Sequence, residues 1–349
     1  MAESSQIKKV VVGSRKSELA MIQTNTVIEN LQKEFPEVEF VIETMETVGD
    51  FVQDKPLANI GQSNLFTKEL ERALAASKVD MLVHSMKDLP SKLPEGMVIA
   101  AIYQRDDPFD AIVLQSKHRG RTLSTLPEGS VLGTSSVRRI ATLKHAHPHL
   151  RFKDVRGNLN TRLRKLDEGK VYDGLILATA GMQRMGWDHR ISQVLNEPSD
   201  MYAVSQGALG VEVLQSNSGL IEMLSSLNHE ETVIQCVCER ALLRTLDGGC
   251  SAPVAVRTEV TKDKIELQAI TLSLDGSKRI SSSKEAILTK TSEKESKETA
   301  AYSSVVAPNI SGVTMSTAEE LGISLAKELL SMGADKILRE AKEEIEKRR

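Results

Sequence analysis

The pattern that most limits the fold of this chain is an apolar run that stops at a small residue and gives way to polar groups and then a helical stripe. Lys9-Val10-Val11-Val12-Gly13 is the first case. It reads as a buried strand, and Ser17 stands where it can cap a helix striped by Ala20, Val27 and Leu31. Residues 38–43 alternate as a second strand, and residues 67–77 form a helix with Leu70, Ala73 and Leu74 on one face. Strands alternating with helices predict an α/β domain with a largely parallel sheet. Between them, residues 45–65 hold Gly49, Pro56 and Gly61 and show no period, which suits a lid or a disordered loop.

The sharpest instance is Asp80-Met81-Leu82-Val83-His84-Ser85-Met86-Lys87-Asp88-Leu89-Pro90. A strand runs into Ser85, Lys87 and Asp88, and Pro90 ends regular structure. Ligands of open α/β sheets bind beyond the carboxyl ends of the strands, so these residues are site candidates. The plain alternative is a solvated Lys–Asp pair in a turn. Arg15, just past the end of the first strand, repeats the arrangement and favours a site.

Asp107-Pro108-Phe109-Asp110-Ala111-Ile112-Val113-Leu114 has the look of a crossing into a second domain. There Val131-Leu132-Gly133-Thr134-Ser135-Ser136-Val137-Arg138-Arg139 reads as strand, hydroxyl-rich turn and helix start. Val155-Arg156-Gly157-Asn158-Leu159-Asn160-Thr161-Arg162 repeats the design, with Leu159, Leu163 and Leu166 striping its helix. A strand over 172–180 then runs into Gly181-Met182-Gln183-Arg184-Met185-Gly186. Arg138, Arg139 and Arg162 occupy or border first helical turns, where the positive end of the helix dipole disfavours cations. An anion bound there removes the conflict. Arginine suits bidentate carboxylate or phosphate recognition. A charge run is more often a solvated face, but these arginines follow strands instead of marking one helix face. Tyr202-Ala203-Val204-Ser205-Gln206-Gly207-Ala208-Leu209 suits a return crossing, so two lobes joined by two crossings enclose a cleft.

The last third holds a helix over 232–245, strands over 254–260, 264–274 and 281–289, a Ser/Lys/Glu-rich loop over 291–299, and a helix that Gly333 stops. At the bend after the first of these helices, Gly248 and Gly249 precede Cys250, and Pro253 keeps helix from the residue before it. That thiol is either a small buried hydrophobe or a displayed nucleophile. Cys236, Cys238 and Cys250 are an odd number and suit a reducing compartment. No metal is expected, because a CxC pair on a helix points to different faces and no His pair follows. A net charge of −3 argues against a nucleic-acid coat, and no apolar run is long enough to span a membrane. A cytoplasmic monomer is the default expectation.

Five segments together resemble the porphobilinogen deaminase (hydroxymethylbilane synthase) family. They are Gly13-Ser14-Arg15-Lys16-Ser17, His84 to Pro90, Gly133 to Arg139, Arg156 to Arg162, and Gly248-Gly249-Cys250-Ser251. The resemblance runs in the same order from about Val10 to about Glu340. Ser14, Met86 and Ser205 stand where the family is expected to have Thr, Leu and Gly.

The resemblance implies two periplasmic-binding-protein-like α/β lobes forming a cleft, with a small α+β C-terminal domain on a three-stranded antiparallel sheet. The boundaries it suggests are 1–105 with the return segment 205–225, then 106–204, then 226–349. It implies a transferase of heme and tetrapyrrole biosynthesis that joins four porphobilinogen units head to tail, releases ammonia at each, and yields hydroxymethylbilane. The growing chain is held on a dipyrromethane cofactor, which the motif match attaches through a thioether to Cys250. Asp88 matches the catalytic acid. Lys87, Ser85, Thr134, Ser135, Ser136, Arg138, Arg139, Arg162 and Gln206 match cofactor contacts, and Arg15, Ser17, Arg156 and Arg184 match substrate contacts. Residues 45–65 match a mobile lid, followed by Phe66 as a candidate to pack on a pyrrole. Porphobilinogen and the lengthening oligopyrrole are then the only partners expected, with neither nucleic acid nor membrane. The alternative from another class is a non-catalytic, two-lobed polycarboxylate-binding protein, which leaves Cys250 and the third domain without a task.

Overall fold

The computed structural model describes residues 7–47, 67–247, 252–289 and 300–347. Most of the expected lid, Phe66, Cys250 with its flanking glycines, and the 291–299 loop lie outside these residues.

The first lobe begins with β1 (Lys9–Arg15), α1 (Glu18–Glu34), β2 (Glu39–Met45), α2 (Lys68–Ala75), β3 (Met81–Ser85) and β4 (Met97–Ile102). The chain then crosses to β5 (Asp110–Leu114), β6 (Val131–Gly133), α3 (Val137–Ala146), β7 (Arg151–Lys153), α4 (Leu159–Asp167), β8 (Gly174–Ala178), α5 (Thr179–Arg184) and β9 (Gln193–Leu195). It returns through β10 (Leu209–Leu214) to α6 (Ser218–Ser225).

Two five-stranded sheets result, ordered β2-β1-β3-β10-β4 and β7-β6-β8-β5-β9. In each, the fourth strand runs against its neighbours and the others share one direction. The odd strands, β10 and β5, are the two that arrive from the opposite lobe. Apolar burial fixes each layer: Val27 and Leu31 of α1 are fully buried against Val10 and Val12 of β1. A buried aliphatic side chain of this kind contributes roughly 1.5–3 kcal/mol. Ser17 does sit at the N-cap of α1, but its side chain makes no capping hydrogen bond.

The third unit follows as α7 (Glu230–Thr245), β11 (Val254–Val260), β12 (Lys264–Leu272), β13 (Arg279–Ile287), α8 (Gly312–Ser331) and α9 (Ala334–Lys347). Its antiparallel sheet is ordered β11-β12-β13. Helix α7 packs closely on α8: a Cβ at Gly322 would stand 2.2 Å from the Cys238 carbonyl oxygen. This unit touches both lobes. Tyr202, on the return crossing, bridges to Val256 of β11, and His145 of α3 meets the Gly276 carbonyl at 2.9 Å. Among the described residues, no helix is long and apolar enough to cross a membrane.

Four elements have no counterpart in the sequence reading: β4, β9, α5 and α6; the strand expected over 172–180 is shorter, Gly174–Ala178, and Thr179 already begins α5. Strand β4 is buried at every position, so it shows no alternation. Val155, expected in a strand, lies in the loop after β7.

Candidate active site

The site is built from strand ends. Arg15 closes β1, Ser17 opens α1, and Ser85 closes β3. A single 3-10 turn, Met86–Asp88, then carries Lys87 and Asp88 before extended backbone resumes at Leu89. Buried Met86 anchors this turn. The turn and strand ends enclose a cavity of about 60 Å³ lined by Arg15, Ser17, Gln23, Thr67, Ser85 and Asp88 among others. Gln23 Nε2 donates to Ser85 Oγ at 3.0 Å, which orients that hydroxyl.

The facing lobe contributes arginines. Arg138 and Arg139 lie in the first turn of α3, after the Thr134-Ser135-Ser136 turn. Ser136 caps that helix, accepting from the Arg139 N–H, while Ser135 Oγ donates to the Val155 carbonyl. Thr134 Oγ1 accepts from the Ser136 N–H. The anion that the sequence demanded beside these arginines is, in part, one of the chain's own. Asp110 Oδ2 accepts from Arg138 Nη2 at 2.8 Å, and its Oδ1 accepts from Arg139 Nη2 at 2.7 Å and Nε at 3.0 Å. Buried Gln206 donates to Asp110 Oδ1 at 2.9 Å and accepts from Lys87 Nζ at 3.2 Å. A continuous polar chain therefore runs from Lys87 in one lobe to Arg138 and Arg139 in the other.

Arg162, in the first turn of α4, is fixed by its Nε donating to the Gly157 carbonyl at 2.8 Å. Burial and the neighbouring Arg139 and Arg156 guanidiniums pull Arg162 down to about 10, against the opposing field of Asp88. Burial and Arg139, helped by Arg138, pull Lys87 down to about 8, although Asp88 and Asp110 work the other way. Burial also lowers Arg156. Burial would raise Asp110, but Arg138 and Arg139 hold it well below the ordinary carboxylate range. Lys87, Asp88, Arg139, Arg156 and Arg162 thus share one electrostatic neighbourhood, and it is short of negative charge.

Arg184 stands apart from this group. Its Nε donates to Asp106 Oδ2 at 2.8 Å and its Nη2 to the Gly207 carbonyl at 2.6 Å, tying α5 to both crossings. The crossings touch there: a Cβ at Gly207, whose φ is +92°, would stand 2.5 Å from the Asp106 carbonyl oxygen. Ser205, where a glycine was expected, also has a positive φ of 59°. Its N–H is held by Glu239 Oε2 at 2.6 Å, and Glu239 in turn pairs with Arg105 at 2.7 Å. Helix α7 therefore grips both crossings. Cys236 and Cys238 are buried in that helix; burial pushes Cys236 up to about 11 and Cys238 well above the ordinary thiol value.

Sequence reasoning overlooked Asp110, Gln23 and Thr67. Asp110 was visible only as one residue of the crossing over 107–114. Gln23 lies on a face of α1 whose apolar stripe drew the attention, and Thr67 follows a stretch without period.

Residues 10–222 match the family described as porphobilinogen deaminase, dipyromethane cofactor binding domain, and residues 233–331 match its C-terminal domain. A porphobilinogen deaminase of Synechococcus elongatus is 44% identical over 337 residues, covering 97% of each chain. One from Gloeobacter violaceus is 49% identical over 271 residues, covering 77% of this chain and 82% of its own. Among solved structures, the periplasmic aliphatic sulphonate binding protein SsuA from Escherichia coli aligns with 69% of this chain and 71% of its own, at 10% identity and a TM-score of 0.37. That score is too low to bear on the topology described above.

Proposed function

Since the chain belongs to the porphobilinogen deaminase family, we infer that its arginine-lined cleft holds the carboxylates of pyrroles while Asp88 serves the joining reaction. The chain is a transferase of tetrapyrrole synthesis, and its first matched region is a dipyrromethane-cofactor-binding domain. The division of labour we propose gives Asp88 to residues 1–105 with 205–225, the arginine face to 106–204, and the cofactor cysteine, Cys250, to 226–349.

One observation carries the reading: a continuous hydrogen-bonded chain joins Lys87 of one lobe to Arg138 and Arg139 of the other through Gln206 and Asp110, three cations on one carboxylate. Such a cleft gains from bound carboxylates, and pyrroles bearing acetate and propionate supply them. Each charge-assisted hydrogen bond contributes about 1.5–3 kcal/mol where water is excluded. The donor set fits a dipyrromethane. In this reading Lys87, Ser85, Arg138, Arg139, Arg162, Gln206 and the Thr134–Ser136 turn hold its carboxylates, and Arg15, Ser17 and Arg156 receive the incoming porphobilinogen. Arg184 is a further substrate contact in this reading, held in place by its hydrogen bonds to Asp106 and the Gly207 carbonyl. When bound, the dipyrromethane supplies the pyrrole ring carbon to which the first unit is joined.

Asp88 shares its cavity with Arg15 and Ser17, at the place a substrate carboxylate is bound in this reading. As the C–N bond of porphobilinogen breaks and its electrons leave with ammonia, Asp88 stabilises the positive charge left on the pyrrole. Once the new C–C bond has formed, Asp88 accepts the proton displaced from the ring carbon and passes it on. Each cycle then releases ammonium and restores the carboxylate. Work of this kind is worth about 10²–10⁴ in rate.

The direct test is incubation with porphobilinogen. One ammonia per pyrrole consumed, with a linear tetrapyrrole as product, is expected. Binding without ammonia release would instead support the polycarboxylate clamp, an alternative that the family membership does not favour.

A further inference from the structure

Asp110 is 5% exposed and opens β5, where the outgoing crossing enters the second lobe. Its carboxylate takes hydrogen bonds from Arg138, Arg139 and Gln206 at once. Arg139 is thereby held on two sides by Asp110 and on a third by the Ile176 carbonyl at 2.9 Å. Gln206 passes the contact on to Lys87.

Sheet pairing does not require an acid here. Asp110 faces Ala178 across the β5–β8 ladder, and the matching positions of the sister lobe are Leu209 and Ser85. The first lobe closes the same ladder with an apolar residue. What differs is that two arginines lie beside the ladder in the second lobe and must be fixed without losing all their charge. Two guanidiniums and one carboxylate leave the trio with one net positive charge. Buried cations lacking a counter-charge would be costly and poorly aimed.

We propose that Asp110 is a positioning residue of the anion cleft, aiming Arg138 and Arg139 at ligand carboxylates and, through Gln206, holding Lys87 across the lobes. The proposal rests on the reading of the cleft given above. It has a consequence for pH. The charged groups facing Lys87 are Arg138, Arg139, Asp88 and Asp110, of which the two acids favour its protonated form. Loss of the Asp110 charge therefore moves Lys87 deprotonation to lower pH.

The test is Asp110→Asn, which keeps the shape and removes the charge, read by intact mass, kcat and the pH profile. The expected result is a cofactor-loaded fraction lowered about tenfold or more and, in the molecules that are loaded, an alkaline limb moved to lower pH. Fewer active molecules with an unchanged alkaline limb would mean a purely structural role and overturn the proposal. Should the Asn variant not fold, Asp110→Glu keeps the charge and spoils the aim. It is expected to lower loading without moving the limb, and wild-type loading would overturn the proposal. Arg138→Leu in the same assays separates the two levels. If it leaves loading unchanged, the cleft reading fails and this proposal with it. If it lowers loading while Asp110→Asn does not, only this proposal fails.

Discussion

The two lobes are built on one plan and put to different uses. Their sheets have the same order, with the strand arriving from the other lobe in fourth place. In both, an aspartate ahead of the central strand, β3 or β8, takes the N–H of a residue in its parallel neighbour, β1 or β6: Asp80 from Val11 at 2.7 Å, and Asp173 from Val131 at 2.8 Å. In both, a glycine in β1 or β6 leaves room for a leucine of the central strand: Gly13 for Leu82, and Gly133 for Leu175. The strand ends diverge. After β3 come Lys87 and Asp88; after β8 come Thr179, Ala180 and Gly181, and the charge sits instead on Arg138, Arg139 and Arg162. The shared scaffold provides two cradles of similar shape; in the reading proposed above, the first lobe's rim holds the acid for proton handling beside carboxylate contacts of its own, and the second lobe's rim holds anions alone.

If that division is right, the largest effect comes from the first lobe's acid. Asp88→Asn is expected to lower kcat at least about 100-fold while leaving the cofactor-loaded fraction unchanged. A near-normal kcat would take Asp88 out of the chemistry. The next contrast concerns the scaffold. A Cβ at Gly13 would lie 2.5 Å from Leu82 Cδ2; one at Gly133 would lie 2.5 Å from Leu175 Cδ2 and 2.9 Å from the Tyr172 ring. Both alanine variants should lose stability, by roughly 1–3 kcal/mol, with Gly133→Ala the worse because a ring has less freedom to turn aside. Equal or reversed losses in thermal unfolding would break the ranking.

The smallest effect is pH-linked. Burial pushes Asp173 up, but hydrogen bonds from Lys117, the Val131 N–H and His118 outweigh it and hold the carboxyl at about 2, below its ordinary 3.8. A carboxyl lowered on folding stabilises the fold above its unfolded value, and that contribution fades as pH falls through the folded one. Asp173→Asn should therefore cost roughly 1–2 kcal/mol near neutral pH, with the gap to wild type closing between about pH 4 and pH 2. A gap that stays constant over that range would contradict the assignment.

Much of this was legible in the chain. Strands β1, β3 and β6 announce themselves because each apolar run ends at polar residues, and those residues do line the facing strand ends. Strand β4 was missed because complete burial erases periodicity. Asp110 was missed for another reason: its arginine partners lie 28 and 29 residues away and Gln206 lies 96 away, so no local pattern marks it. The misplaced arginines did signal a missing anion. They could not say that the protein supplies part of it. Arg184 shows a second limit, since no local pattern tells that a basic residue after a strand also ties the two crossings together.

The central claim is that this protein builds pyrrole chains on a dipyrromethane anchored at Cys250. Intact mass of the purified protein beside a Cys250→Ala variant tests it most directly, with a second weighing after porphobilinogen is added. The account predicts an excess of two pyrrole units in the wild type, further increments with substrate, and neither in the variant. A wild-type mass that matches the bare chain and stays there after porphobilinogen is added would contradict it.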